Sequence, residues 1–341
     1  MAQPFDPDRL ELGGDPLPVT ASVAYVSNGR ASYDVSPTGT LAYRVSGIHA
    51  GSQPILVDRS GMTLAAVGEP GDYQTAALSP DGSRLAIELH DLATGTGDLW
   101  IVELARNSTR KFTFDGAHNG RAVWSPDGTH LVFQGRPDDE RNLHLKPLDG
   151  QSDEALLAPG PDRAPTDWSP DWRHIMYEEG PLGQRDLWTL EMPERAPASF
   201  LGSGADLTDG RFSPDGRFVA FVSNETGRRE VYVRSFPDAL GVEEVSINGG
   251  AAPRWNPDGG ELFFVDSASV IQAVPVKTSE GFELGEAEPL FTIDMRANYR
   301  NWFATDGQQF LIVPNVVRPR EAAPPITIAE DWTSLLRRGA P

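Results

Sequence analysis

Trp124-Ser125-Pro126-Asp127-Gly128 is followed at once by a short apolar run, residues 130–134, and after a polar loop by a second one, residues 142–148. Proline presets φ for the first central position of a turn, and Asp-Gly favours the tight reversal that joins two strands. The stretch therefore reads as a β-hairpin. It recurs along the chain as Val35-Ser36-Pro37-Thr38-Gly39, Leu78-Ser79-Pro80-Asp81-Gly82, Trp168-Ser169-Pro170-Asp171-Trp172, Phe212-Ser213-Pro214-Asp215-Gly216 and Trp255-Asn256-Pro257-Asp258-Gly259. A degenerate copy is Phe303-Ala304-Thr305-Asp306-Gly307. The lead residues 35, 78, 124, 168, 212, 255 and 303 are spaced by 43, 46, 44, 44, 43 and 48 residues.

Each copy has the same sequel. An apolar strand follows the turn, at 40–45, 84–89, 174–177, 217–222, 261–265 and 309–313 in the other copies. A second, alternating run comes next, at 55–58, 98–104, 186–192, 230–236 and 270–276, and a third short segment closes most units, as at 111–114 and 244–247. Helical periodicity is confined to 331–338. Four short strands in each unit of about 44 residues, repeated several times, predict an all-β propeller of four-stranded antiparallel blades. Seven copies imply seven blades; six is the alternative count if the degenerate copy is an appendage.

The ends suggest how the circle closes. Leu10-Glu11-Leu12-Gly13 resembles Phe282-Glu283-Leu284-Gly285, which lies between the third and fourth strands of its unit. The expectation is one domain over 1–341, its last blade combining an N-terminal strand at about 17–26 with C-terminal strands within about 298–331. Joining the ends in one sheet would leave no exposed edge.

Composition narrows the function. The 341 residues are 39% hydrophobic and 23% charged, with 29 Lys+Arg against 49 Asp+Glu and a net charge of -20. Such an acidic chain is not expected to bind nucleic acid. The basic residues are nearly all arginine, since lysine occurs only at Lys111, Lys146 and Lys277. Cysteine is absent, which excludes disulfides, thiolate metal sites and cysteine nucleophiles. No stretch approaches 18 apolar residues, so no membrane insertion is expected. The start, Met1-Ala2-Gln3-Pro4-Phe5, has no basic and apolar leader and reads as no signal peptide. As it stands the chain is expected in the cytoplasm, or outside it if cut from a longer parent.

The Trp-Ser-Pro-Asp-Gly turn, with the strands Asp98-Leu99-Trp100 and Glu230-Val231-Tyr232-Val233-Arg234, resembles the WD-like repeats of TolB-type propellers. Pro4-Phe5-Asp6-Pro7 and Gly39-Thr40-Leu41-Ala42-Tyr43 are similar to segments of the propeller regions that follow the kinase domain in bacterial serine/threonine kinases. The likeness spans about residues 5–336. It implies a bacterial sensor or scaffold that binds a protein or peptide without catalysis. No glycine-rich nucleotide loop, His-Arg-Asp or Asp-Phe-Gly is present, so the chain is not itself a kinase.

Four residue sets could carry chemistry. The turn aspartates Asp81, Asp127, Asp171, Asp215, Asp258 and Asp306 read as structural, because Asp before Gly satisfies its own turn amides. Trp124, Trp168 and Trp255, with Phe212 and Phe303, read as core between blades. The histidines form no His-x-x-x-His pair and Gly-x-Ser-x-Gly is absent, so no metal, cofactor or catalytic residue is assigned. The alternative is a hydrolase or lyase working in the central channel. The fourth set lies where each innermost strand begins: Arg30, Tyr73, Asn119, Arg121, Arg163, Asp209, Tyr299 and Arg300. Arg211 and Arg254 stand immediately before lead aromatics. Guanidiniums gathered at a channel mouth would attract an anionic group of a partner, or would pair with Asp34, Asp167 and Asp209 between blades. Loops at 46–54, 90–97, 135–142, 178–185, 224–229 and 315–325 are expected on the same face.

Overall fold

The computed structural model describes residues 3, 5–6, 9–13, 33–36, 40–44, 51–91, 96–114, 118–136, 140–150, 152–202, 204–279, 281–293, 303–314 and 326–329. Among them the only helical segment is one 3-10 turn, Leu104–Arg106. Among the described residues no helix is long and apolar enough to cross a membrane. The protein is an all-β propeller of four-stranded antiparallel blades, and it divides into two compact units, Ser52–Asn315 and Met1–Gly51 with Val316–Pro341.

The larger unit holds six sheets, here blades 1 to 6. Their innermost strands are Asp72–Leu78, Gly120–Trp124, Arg163–Trp168, Thr208–Phe212, Gly250–Trp255 and Phe303–Thr305. Each is paired outward by the strand after its turn: Arg84–His90, His130–Gly135, His174–Glu179, Phe218–Ser223, Glu261–Asp266 and Gln309–Ile312. Each innermost strand lies beside those of two neighbouring blades, and that of blade 6 touches both blade 5 and blade 1. Within Ser52–Asn315 the ring thus returns on itself after six sheets.

Blade 6 closes it. Gln309–Ile312 lies among the C-terminal strands, within about 298–331, that the sequence groups with an N-terminal strand at about 17–26. It pairs instead with Ile55–Asp58 (Gln309 opposite Asp58, Ile312 opposite Ile55), which in turn pairs with Thr63–Ala66. The physical reason is the apolar stretch Ile55-Leu56-Val57, which leads directly into blade 1 and buries Val57 to 1% exposure. The segment expected there, Ile326–Ala329, belongs to the smaller unit and pairs with Leu41–Arg44. That unit contains the first turn copy: Val35 ends the strand Tyr33–Val35, which pairs with Leu41–Arg44 in a three-stranded sheet. The duplicated Glu-Leu pair forms a short antiparallel strand in both places, Glu11–Leu12 with Phe5–Asp6 and Glu283–Leu284 with Val270–Lys277. Residues 17–26 lie outside the described residues.

Strand periodicity explains the packing. Successive side chains point to opposite faces, and a blade has a neighbour on both. Leu131 and Phe133 pack with Leu99 and Ile101 of blade 1, whereas Val132 between them packs with Ile175 and Tyr177 of blade 3. Six apolar clusters result, one per blade interface, including those that join blade 6 to blades 5 and 1. The lead aromatics are their inner anchors, Trp124, Trp168, Phe212, Trp255 and Phe303 all being buried.

The turns are held by their own polar side chains. Ser79 Oγ donates to Asp81 Oδ1 at 2.6 Å and accepts from the Arg84 N–H at 2.9 Å. The sets around Ser125, Ser169 and Ser213 repeat both bonds. Gly82, Gly128, Gly216 and Gly259 take φ between +66° and +78°. Where glycine is missing, Trp172 adopts φ +70° and its carbonyl accepts from Trp168 Nε1 at 3.1 Å. Hydrogen bonding from the Ser79 hydroxyl, then from Ser83, lowers the Asp81 pKa to about 2.

Two outcomes are expected. Phe310→Ala, emptying the closing blade's fully buried ring site, should cost about 3–5 kcal/mol in urea denaturation. A loss below about 1 kcal/mol would mean that blade 6 does not hold the ring. The Asp81 carboxylate contributes stability that is complete above the ordinary aspartate value of 3.8 and is lost as pH falls through about 2. Melting temperature should therefore fall between about pH 4 and pH 2 more steeply in the wild type than in Ser79→Ala; equal slopes would contradict the assignment.

Candidate functional site at the loop end of the channel

All the innermost strands of blades 1 to 5 change register part-way along. Such a bulge leaves an extra residue unpaired and re-aims its side chain. In blades 2 and 4 the bulge puts Arg121 at φ +54° and Asp209 at φ +55°. The freed N–H groups are taken by carboxylates of preceding blades: Arg121 N–H donates to Glu88 Oε2 at 3.2 Å, and Asp209 N–H to Glu178 Oε1 at 3.1 Å. Between them, Gln134 Nε2 donates to the Arg163 carbonyl at 2.6 Å. Glu88, Gln134 and Glu178 each stand ten residues after their lead residue; Val222, Val265 and Val313 hold that position in blades 4 to 6. One side of the ring is therefore polar where the other is aliphatic.

On the polar side lies a cavity of about 280 Å³, at the end of the channel where innermost strands begin. Arg121, Arg163, Arg185, Glu88 and Glu178 line it, with the amides of Gln74 and Gln134. Glu178 is 1% exposed and is the hub. Arg121 Nη2 donates to its Oε2 at 3.0 Å and Arg185 Nη1 to the same oxygen at 3.3 Å. Arg185 also holds Asp206 through Nε at 2.6 Å and through Nη2. Arg163 Nε donates to Glu179 at 2.6 Å and its Nη1 to the Ala158 carbonyl at 2.8 Å. Burial, then the nearby Glu178 charge, raises the pKa of Asp209, while Arg229 stands 3.5 Å from its carboxylate. Beside Glu88, burial opposes protonation of His90, but the 2.9 Å contact with Glu88 prevails and raises its pKa.

The expected rim residues divide as follows. Arg121 and Arg163 line one cavity, each with a carboxylate partner. Asp209 lies behind it, joined through Glu178. Tyr73 stands in the apolar core between blades 6 and 1, its hydroxyl donating to the Glu69 carbonyl at 2.5 Å. Asn119 is buried just before its strand, where its N–H donates to the Gly97 carbonyl. Arg30, Tyr299 and Arg300 lie outside the described residues. Sequence reasoning missed Glu88 and Gln134 and named Glu178 and Arg185 only as the ends of a loop; for Glu88, Gln134 and Glu178 the signal was the polar residue ten positions after three successive lead residues. Among the described residues, no group of three or more His, Cys, Asp or Glu is placed to hold a metal ion.

No protein-family model matches the sequence, and no curated protein matches it significantly. Solved structures do. A putative TolB from Agrobacterium tumefaciens is 20% identical with a TM-score of 0.63, covering 77% of this chain and 98% of its own. TolB from Acinetobacter baumannii is 15% identical with a TM-score of 0.54, covering 75% of this chain and 79% of its own. The tricorn protease is 16% identical with a TM-score of 0.53, over 78% of this chain and 26% of its own. By fold, therefore, the chain is a TolB-like β-propeller.

Replacing Glu178 by Val, the residue of blades 4 to 6, is expected to destabilise by about 3–5 kcal/mol, because Arg121 and Arg185 lose a shared buried carboxylate. Urea denaturation measures this. Unchanged stability would show that the hub carries no load.

Proposed function

We propose that the chain is a non-enzymatic binding module, a sensor or scaffold, that holds a protein or peptide segment in the loop-end cavity. The observation that supports it is the cavity's lining: both signs of charge and two side-chain amides, with Leu182 at its lip 84% exposed. A peptide backbone needs donors and acceptors together, and an exposed leucine on a loop offers an apolar anchor beside them. The Arg163 and Arg185 pairs are largely sheltered, whereas in Arg141–Asp162 the side chains are 45% and 51% exposed at 3.0 Å. So exposed a pair is worth little, and an acidic side chain of the partner exchanges for Asp162 there. The resemblance to TolB-type propellers and to kinase-following propeller regions supports the same role.

Selection of random dodecapeptides displayed on phage tests this. Enriched peptides should bind the wild type and lose at least tenfold affinity for Leu182→Asp and Arg141→Ala, with acidic residues enriched among them. Peptides that bind both variants as well as the wild type would place recognition elsewhere.

A further inference from the structure

The three polar residues that stand ten positions after their lead residues are balanced in different ways. Glu178 meets two guanidiniums, those of Arg121 and Arg185, which stay charged at any physiological pH. Gln134 carries no charge. Glu88 pairs with no arginine or lysine side chain among the described residues. Its Oε2 accepts from Thr75 Oγ1 at 3.0 Å and from the Arg121 N–H at 3.2 Å, and its Oε1 accepts from His90 Nε2 at 2.9 Å. Of the three, Glu88 alone is balanced by a group that titrates near neutrality.

The imidazole is built into its place. His90 ends the second strand of blade 1, two residues after Glu88 and on the same face of the sheet. Gly97 stands opposite on the next strand, where a Cβ would fall 2.7 Å from the ring. On the innermost strand the residue opposite is Asp72, whose Oδ1 accepts from Gln74 Nε2 at 2.9 Å. From the segment that enters blade 2, His118 sets its ring edge-on to His90, with 5.4 Å between centres. Arg136 and Arg141 act on His118 from the following loop. Burial opposes a charge on His90, but Glu88 and then Asp72 outweigh it and raise the pKa. Burial, then the His90 charge, lower that of His118. Of the two rings, the one that touches Glu88 takes the proton first.

We propose that His90 sets the charge of the loop-end cavity: protonated, it cancels Glu88 and the cavity admits an acidic segment; deprotonated, it leaves one more negative charge there and the segment is repelled. The inference rests on the reading of that cavity as a peptide site and adds its regulation. Glu88 lines the cavity together with Arg121, Arg141 and Asp162, so the charge changes where the partner's carboxylate would exchange for Asp162. The neutral ring still donates to Glu88 through Nε2, so strand and bulge keep their geometry and the switch is one of charge. The sign follows from linkage. The His90 value lies above the ordinary 6.5, so the attraction to Glu88 is complete below 6.5 and is lost as pH rises through the raised value.

The chain contains no cysteine, so Leu182→Cys places a unique thiol at the lip of the cavity. Its rates with dithiobis(nitrobenzoate), a dianion, and with neutral dithiodipyridine depend alike on the thiolate, and their ratio reads the local charge. From about pH 6 to about pH 9 at low salt the ratio should fall about threefold, the effect of one unit charge on a dianion across a cavity of this size in water. Raised salt should flatten the fall. Its midpoint should match the titration of the His90 ring followed by NMR, and adding His90→Gln should leave the ratio level. A level ratio in Leu182→Cys alone, a midpoint that follows another histidine, or the same fall with His90→Gln in place would each overturn the switch. The first two decide the matter even if His90→Gln fails to fold. Acidic dodecapeptides from the phage selection should weaken over the same range; an affinity independent of pH while the thiol ratio falls would overturn the regulation. A selection that yields no peptide would sink the binding reading, whereas the thiol ratio judges the charge switch by itself.

Discussion

Every sheet of the larger unit has two apolar faces, and neither can be covered within its own repeat. That constraint governs the rest. Leu131 and Val132 are both at 0% exposure although they point in opposite directions, because one packs on blade 1 and the other on blade 3. A strand with two buried faces would leave one open to water in any unclosed row of blades. Full burial of a Leu or Val side chain is worth about 1.5–3 kcal/mol, so an open end carrying several such residues would be strongly disfavoured. Blade 6 removes that end by placing Ile55–Asp58 against Gln309–Ile312. The bidentate contact of Arg59 with Glu261, at 2.9 and 2.8 Å, fastens the closing strand's loop to blade 5.

A closed ring places six near-identical strands around one axis, and small departures from the repeat then become the chemistry. The position ten residues after the lead is valine in three blades and Glu88, Gln134 and Glu178 in the others. Each of the polar trio bonds the innermost-strand backbone of the next blade, and Glu178 gathers Arg121 and Arg185 as well. At the opposite end, the position before the lead is apolar in blades 1 and 2 and charged in blades 3 to 5. The channel thus has two unlike mouths: a mixed-charge cavity under the loops and a half-apolar, half-charged one among the turns.

The two ends also differ in how firmly their charges are held. The loop-end arginines Arg121, Arg163 and Arg185 are engaged by sheltered carboxylates, whereas the pair Arg141–Asp162 is exposed to solvent. The turn-end arginines Arg211 and Arg254 are also braced on backbone carbonyls, which orient their guanidiniums.

Much of this was legible in the residues. The turn sequence and its spacing of about 44 residues determined the strands, the hairpins and the four-stranded sheets, since Pro, Asp and Gly act within a few residues of themselves. The structural role of the turn aspartates and the burial of Trp124, Trp168 and Trp255 followed from the same local logic. Which distant strands meet was decided only by the tertiary structure. Ile55–Asp58 and Ile326–Ala329 are both short apolar strands, and nothing local distinguishes which one completes the ring. The partners of the arginines were hidden for the same reason: Arg121 and Glu178 are 57 residues apart. A side chain's charge can be read from its letter, but what neutralises it depends on which blade the fold brings alongside.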